Sequence, residues 1–261
     1  MNEIISTEAV NTLVSSGAFG YLGKKVLGAT LENIGKDIAN LYEKGRDKIV
    51  EKASKKIKNL DDGQQVNLRI ARDVFYNGSF SDDEICAEYF GGILASSRSE
   101  DGKNDTSIFY LDIIKSLSSF ELRLHYIIYQ TLNKMLTNNY YGSNNINVGL
   151  ESDVTSKVIY FNIVEIIEII KLNDISALLH ILVSKKLVNS FETNIYTLKS
   201  DPTKIIYYLK LTPTPIGIQL FAIANNKNFR EFPNDGWLGF EGIELPNHYT
   251  TNIALWDNIS K

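Results

Sequence analysis

Four carboxylates crowd one short stretch, Asp82, Asp83, Glu84 and Glu88, and grouped carboxylates can serve general acid–base work or hold a cation. The first three fall in the opening turn of a predicted helix, where negative charge complements the helix dipole. Their spacing is therefore explained without a site. The three histidines, His125, His180 and His248, are far apart. None stands in the HExxH or HxxxH spacing that puts two ligands on one helical face, so no metal centre is expected. Cys86 is the single cysteine, and the nearest histidine in sequence, His125, lies nearly forty residues on. A nucleophilic pair would need the fold to bring them together, and a buried free thiol is the commoner outcome in an apolar helical stretch.

Gly17-Ala18-Phe19-Gly20-Tyr21-Leu22-Gly23-Lys24-Lys25 has the residue types of a phosphate loop. That loop requires four residues between its glycines and a Ser or Thr after its Lys. Here two residues separate the glycines and Lys25 follows Lys24, so no nucleotide or other cofactor is expected there. No Gly-x-Ser-x-Gly elbow occurs. The residues point to a protein that binds rather than catalyses.

Two groups of residues could make contact surfaces. Ala9 to Gly23 is an uncharged run of 15 residues, shorter than the ~20 apolar residues that span a bilayer. As an interfacial helix it would insert Phe19, Tyr21 and Leu22 and set Lys24 and Lys25 among the headgroups. An ordinary amphipathic helix docking on its own protein fits the same pattern. From Lys24 to Lys58 ten Lys/Arg face five Asp/Glu, a local +5 in a chain whose net charge is −4. Such asymmetry suits nucleic acid or an anionic membrane, and equally the solvated face of a long helix. A nucleic-acid surface farther along would rest on Lys185, Lys186, Lys199 and Lys204, a thin basic footprint.

The elements that must position these residues are mostly helical. Residues 7–59 read as helix, broken at most once, with Leu27, Leu31, Ile34, Ile38, Leu41 and Tyr42 at spacings of three and four. Six glycines within it, Gly17, Gly20, Gly23, Gly28, Gly35 and Gly45, call for close approach to another helix or to lipid, since each costs about 1 kcal/mol relative to Ala. Asp61-Asp62-Gly63 is a turn. Helices are expected over Gln64–Phe75, from a capping box at Ser81 and Glu84, over Ile108–Leu117, and from a second box at Ser118 and Glu121 to Leu136. Asn138 to Asn145 is a connector.

Beyond it, Asn162, Glu165, Glu168 and Lys171 recur every three residues between pairs of β-branched residues, which makes a helix with one polar stripe. Asn173 or Asp174 caps the next helix, predicted to run through Leu187. Asn194–Leu198 and Lys204–Leu211 read as a hairpin around Asp201-Pro202, and Thr214-Pro215 opens a helix to Ala224. Helix, helix, helix, hairpin is the order of a winged-helix unit. The expected fold is mainly α, a helical N-terminal half followed by a winged-helix-like unit with a small β-hairpin. Its divisions are a glycine-bearing helical region (1–62), a helical core (63–137), a winged-helix-like domain (138–224, its first helix from about 120) and an irregular tail (225–261) packed by Trp237 and Trp256.

The helix Glu84 to Ser97, the phrase Leu117-Ser118-Ser119-Phe120-Glu121, the glycine-bearing N-terminal helix with its basic follow-on, and Leu211-Thr212 with Gly217 and Phe221 resemble the abortive-infection alpha family of bacterial antiphage proteins. The resemblance implies a role in halting phage-infected cells and no chemistry on particular residues. Together with the residues it gives the expectation of a non-enzymatic defence component with a protein partner. A nucleic-acid-binding winged helix and a membrane-perturbing effector are the alternatives. The lone cysteine suits a reducing cytoplasm. The first residues carry no basic region ahead of an apolar one, so no secretory leader is expected, and peripheral contact would be with the inner membrane.

Overall fold

The computed structural model describes residues 31–81, 83–140, 157–232, 237 and 239–259. The first described element is helix α1 (Leu31–Lys56). Gly45 in this helix meets the close approach that its composition demands: a Cβ there would lie 2.0 Å from the carbonyl oxygen of Ser79. Its neighbour is protein.

The next helix, α2 (Leu68–Gly78), starts later than expected. Asn67 takes the cap, its side chain accepting from the N–H groups of Arg69 and Ile70 at 3.0 and 3.2 Å. Gln65–Val66 (β1) instead pairs antiparallel with Arg98–Ser99 (β2).

Helix α3 (Glu84–Ser96) is buried continuously from Ile85 to Ala95. A helix apolar on all sides belongs at the centre of a bundle rather than against one face of it. The predicted Ser81–Glu84 capping box does not form. Asp83 is the cap, accepting from the Ile85 N–H at 3.0 Å, while the Ser81 hydroxyl accepts from the Asp83 N–H at 3.4 Å, outside the helix. Glu84 turns away to Lys48 and Lys52. A carboxylate one residue before the helix outcompetes a hydroxyl three residues before it.

Around α3 pack α1, α2, α4 (Ile108–Lys115) and α5 (Ser119–Tyr140). The box opening α5 forms as predicted: Ser118 N–H donates to the Glu121 carboxylate, and Glu121 N–H to Ser118 Oγ at 3.5 Å.

A strand absent from the sequence reading, β3 (Ile159–Asn162), then leads directly into α6 (Ile163–Ile170), which Asn162 caps. After α7 (Ser176–Ser184) come β4 (Val188–Thr197) and β5 (Ile205–Pro213), both longer than predicted. The chain leaves α7 three residues before the predicted end because Lys186 adopts a left-handed φ of 59°. Leu187, wholly buried, starts the run into β4. The sheet order is β4-β5-β3-β6, all neighbours antiparallel, with β6 (Tyr249–Thr250) drawn from the tail.

Helix α8 (Pro215–Ala224) is capped by Thr214, with proline in its first turn as predicted. Among its described residues the tail is irregular apart from two 3-10 turns, β6 and the short α9 (Trp256–Ile259). Phe232, Trp237 and Phe240 join the main core, and Trp256 closes a small separate cluster with Leu198 and Ile206. The Glu165 end of the predicted polar stripe on α6 anchors this tail: Glu165 accepts from the N–H groups of Asn247 (2.6 Å) and His248 (3.1 Å) and pairs with the His248 ring.

Candidate functional site

The residues predicted to make chemistry are occupied with structure. Cys86 is buried in α3, and burial pushes its thiol pKa up, partly offset by a hydrogen bond from Ser81. His125 on α5 does not meet it. Its Nε2 lies 3.1 Å from the Gly217 carbonyl, which only accepts, so Nε2 carries the proton. Nδ1 then accepts from the Tyr89 hydroxyl. Full burial holds His125 neutral, its pKa lowered to about 3. His180 stacks edge-on against Phe191, 4.9 Å between centroids. Among the described residues no group of three His, Cys, Asp or Glu stands close enough to hold a metal ion. Asp82 lies outside the described residues.

The predicted contact surfaces fare differently. Phe19, Tyr21, Leu22, Lys24 and Lys25 lie outside the described residues. Among those described, no helix is long and apolar enough to cross a membrane. Lys185 and Lys186 follow α7, whereas Lys199 and Lys204 sit in the turn joining β4 to β5. Ten residues of β4 separate the two pairs, about 30 Å at the rise of a strand. They do not form one patch. The exposed positions of α7 itself, Ser176, Ala177, His180 and Ser184, include no Lys or Arg.

The same hairpin carries an apolar surface. Ile195 (54% exposed), Ile205 (53%) and Tyr207 (51%) stand in the open. Ile195 pairs with Tyr207 and Thr197 with Ile205 across the strands. Leu209 and Leu211 lie on the same face by the two-residue alternation and are buried. The exposed trio is thus the part of a core-facing stripe that runs beyond the core. Strand β4 is the sheet's edge, with no neighbour on its outer side among the described residues.

A second site was not singled out from the sequence. Between the end of α1, the first half of α3 and the tail lies a cleft of about 340 Å³, lined among others by Lys55, Lys56, Lys58, Lys227, Trp237 and Phe240. Its floor is an ionic cluster. Glu88, 6% exposed, takes Lys52 on one carboxylate oxygen at 3.0 Å and Lys56 on the other. Lys52 also reaches Glu84 at 3.1 Å. Burial opposes charge on Lys52, and its hydrogen bonds to Glu88 and Glu84 nonetheless raise its pKa. For Lys56 burial outweighs Glu88, and the pKa is lowered. Its ammonium also lies 4.7 Å from the Phe240 ring centroid, a cation–π contact.

The sequence signal for this cleft was the excess of Lys/Arg that ends at Lys58. Its partner carboxylate Glu88, some thirty residues later on α3, was visible only as one of the grouped carboxylates there, and its aromatic wall from the tail carries no local mark. No curated protein and no solved structure matches the chain. The family model described as abortive infection alpha matches residues 41–224, from within α1 to the last residue of α8. It takes in the bundle and the hairpin and stops before the tail's wall of the cleft. With that match over most of its length, the chain belongs to the abortive infection alpha family.

Proposed function

We propose that this chain is a non-enzymatic component of antiphage defence whose winged-helix-like unit docks an extended segment of a protein partner on the β4–β5 hairpin. The coarse role, abortive infection, comes with the family. The winged-helix reading is supported by the order helix α5, strand β3, helices α6 and α7, and hairpin β4–β5, with the three strands antiparallel in the order β4-β5-β3. The observation that carries the docking is the open edge of β4 beside the exposed Ile195, Ile205 and Tyr207. An unpaired edge offers backbone donors and acceptors to an added strand, and neighbouring apolar side chains select its alternate residues. Binding rather than catalysis is supported by His125 and Cys86, whose burial holds both uncharged at neutral pH.

The test is phage protection in cells carrying Ile195→Asp with Tyr207→Asp, judged by plaque counts. Both positions are exposed, so thermal stability should stay within a few degrees while protection is lost. Lys185→Glu with Lys186→Glu should leave protection intact. Full protection by the hairpin variant would sink the proposal; loss only in the lysine variant would favour nucleic acid instead.

A further inference from the structure

We propose that the cleft between α1, α3 and the tail binds a nucleoside phosphate. The first ground is charge. The cleft's lining includes Lys52, Lys55, Lys56, Lys58 and Lys227 against Glu88 and Glu241. Glu88 is already shared by Lys52 and Lys56. Glu241, 78% exposed at its side chain, lies only at the margin of Lys52 and Lys55, 3.8 and 3.6 Å away, and Lys55 is held by Glu51 at 2.7 Å. Lys58 makes no ion pair or hydrogen bond among the described residues, and Lys227 has Glu231 at 3.9 Å. A phosphate would give both their first close partner. Positions in the last turn of α1 explain Lys55 and Lys56 by the helix dipole alone. They do not explain Lys58 or Lys227.

The second ground is the opposite wall. Trp237 and Phe240 line the same cleft, 4% and 6% exposed. Among the described residues the buried Trp237 indole N–H has no hydrogen-bond partner. A buried donor left unpaired is costly; a ligand bearing acceptors beside a planar ring would relieve it. The cleft's size, about 340 Å³, falls in the usual range of small-ligand sites, about 300–1,000 Å³. A second cavity shares Lys56, Lys58 and Lys227; its Arg98 is already paired with Asp62 at 2.5 Å. This site is separate from the hairpin, and its test does not depend on any protein partner.

Isothermal titration of the full chain with ADP, pyrophosphate and adenosine decides it. ADP should bind saturably at one site, with pyrophosphate and adenosine each at least about tenfold weaker, since each lacks half of the recognised chemistry. Lys58→Glu with Lys227→Glu should weaken ADP by about tenfold or more, with an unchanged melting temperature showing that the variant folds. In a Trp256→Phe background, which leaves Trp237 as the sole tryptophan, ADP should alter the indole fluorescence. Absence of saturable ADP binding at millimolar concentration overturns the proposal. So does pyrophosphate binding as tightly as ADP, or ADP binding that the charge reversal leaves unchanged.

Discussion

A Cβ on Gly92 would stand 2.2 Å from the carbonyl oxygen of Ala224 and 2.4 Å from its Cα. Helices α3 and α8 therefore touch backbone to backbone, across more than half of the chain's length. The contact joins the central helix of the N-terminal bundle to the helix that follows the hairpin. It also explains why Gly92 stands in a buried helix, where glycine costs stability; Gly91 faces α1 instead, where a Cβ would lie 2.9 Å from the Lys52 Cβ.

Gly92→Ala should be among the most damaging single changes in the protein. The atom it meets is backbone, so no rotamer change can relieve the overlap, and overpacking of this kind costs about 1–3 kcal/mol or more. Urea denaturation should show a lowered midpoint with little change in slope. A midpoint equal to the parent's would mean the two helices are not packed this closely.

The capping residues separate by position. Asp83→Ala and Ser118→Ala should each cost about 0.5–2 kcal/mol, because Asp83 accepts from Ile85 N–H and Ser118 from Glu121 N–H. Ser81→Ala should cost less than Asp83→Ala, since its hydroxyl satisfies no N–H of the helix and holds only a 3.4 Å contact to the Asp83 N–H and a hydrogen bond to the Cys86 thiol. Thermal melts of the three variants check the ranking. An equal loss at Ser81 would restore it as the cap.

What the sequence made legible was local. Spacings of three and four located α1 and α6, the box residues Ser81–Glu84 and Ser118–Glu121 announced α3 and α5, and Asp201-Pro202 marked the hairpin. The strand β3 was illegible because Ile159-Tyr160-Phe161-Asn162 is four residues long and its pairing partners, Leu209 and Leu211 in β5 and Tyr249 in β6, are remote. The Ser81 error has a similar source: two overlapping cap signals, Ser81–Glu84 and Asp83, are told apart only by where the Lys48 and Lys52 side chains draw Glu84. The lysine cleft was half visible. The basic run was read, but Glu88, Trp237 and Phe240 reach it through tertiary folding.

His125 makes the fold sensitive to acid. Its folded pKa, about 3, is depressed below the ordinary unfolded value of about 6.5. The unfolded chain therefore binds the proton more readily, and stability is fully present above about pH 6.5 and falls as pH drops toward 3. At about 1.4 kcal/mol per unit, roughly 2 kcal/mol should disappear between pH 7 and pH 5. Carboxylates contribute in parallel, so the measurement is a difference: urea midpoints across pH for the parent and for His125→Asn. The variant should be less stable at pH 7 and lose less on acidification. Parallel profiles would show that His125 takes a proton without unfolding.

The tail should govern the tip of the hairpin. Trp256 is fully buried against Leu198 and Ile206 in a cluster separate from the main core. Beside it, Asp257 accepts from the Lys199 N–H at 2.8 Å and from the Tyr196 hydroxyl at 3.1 Å. The two residues thus hold the end of β4 and the turn that follows it. Removing a buried tryptophan side chain typically costs about 3–5 kcal/mol, but here the loss falls on a satellite cluster, so local opening is the cheaper response. Trp256→Ala should therefore speed amide hydrogen exchange across residues 194–208 while α3 keeps its protection. Asp257→Asn should give a weaker version of the same pattern, because an amide oxygen still accepts from Lys199 N–H but without the charge. Exchange that accelerated equally in α3 and in the hairpin would show that the tail supports the whole fold, and unchanged exchange in both would show that the hairpin tip stands without it.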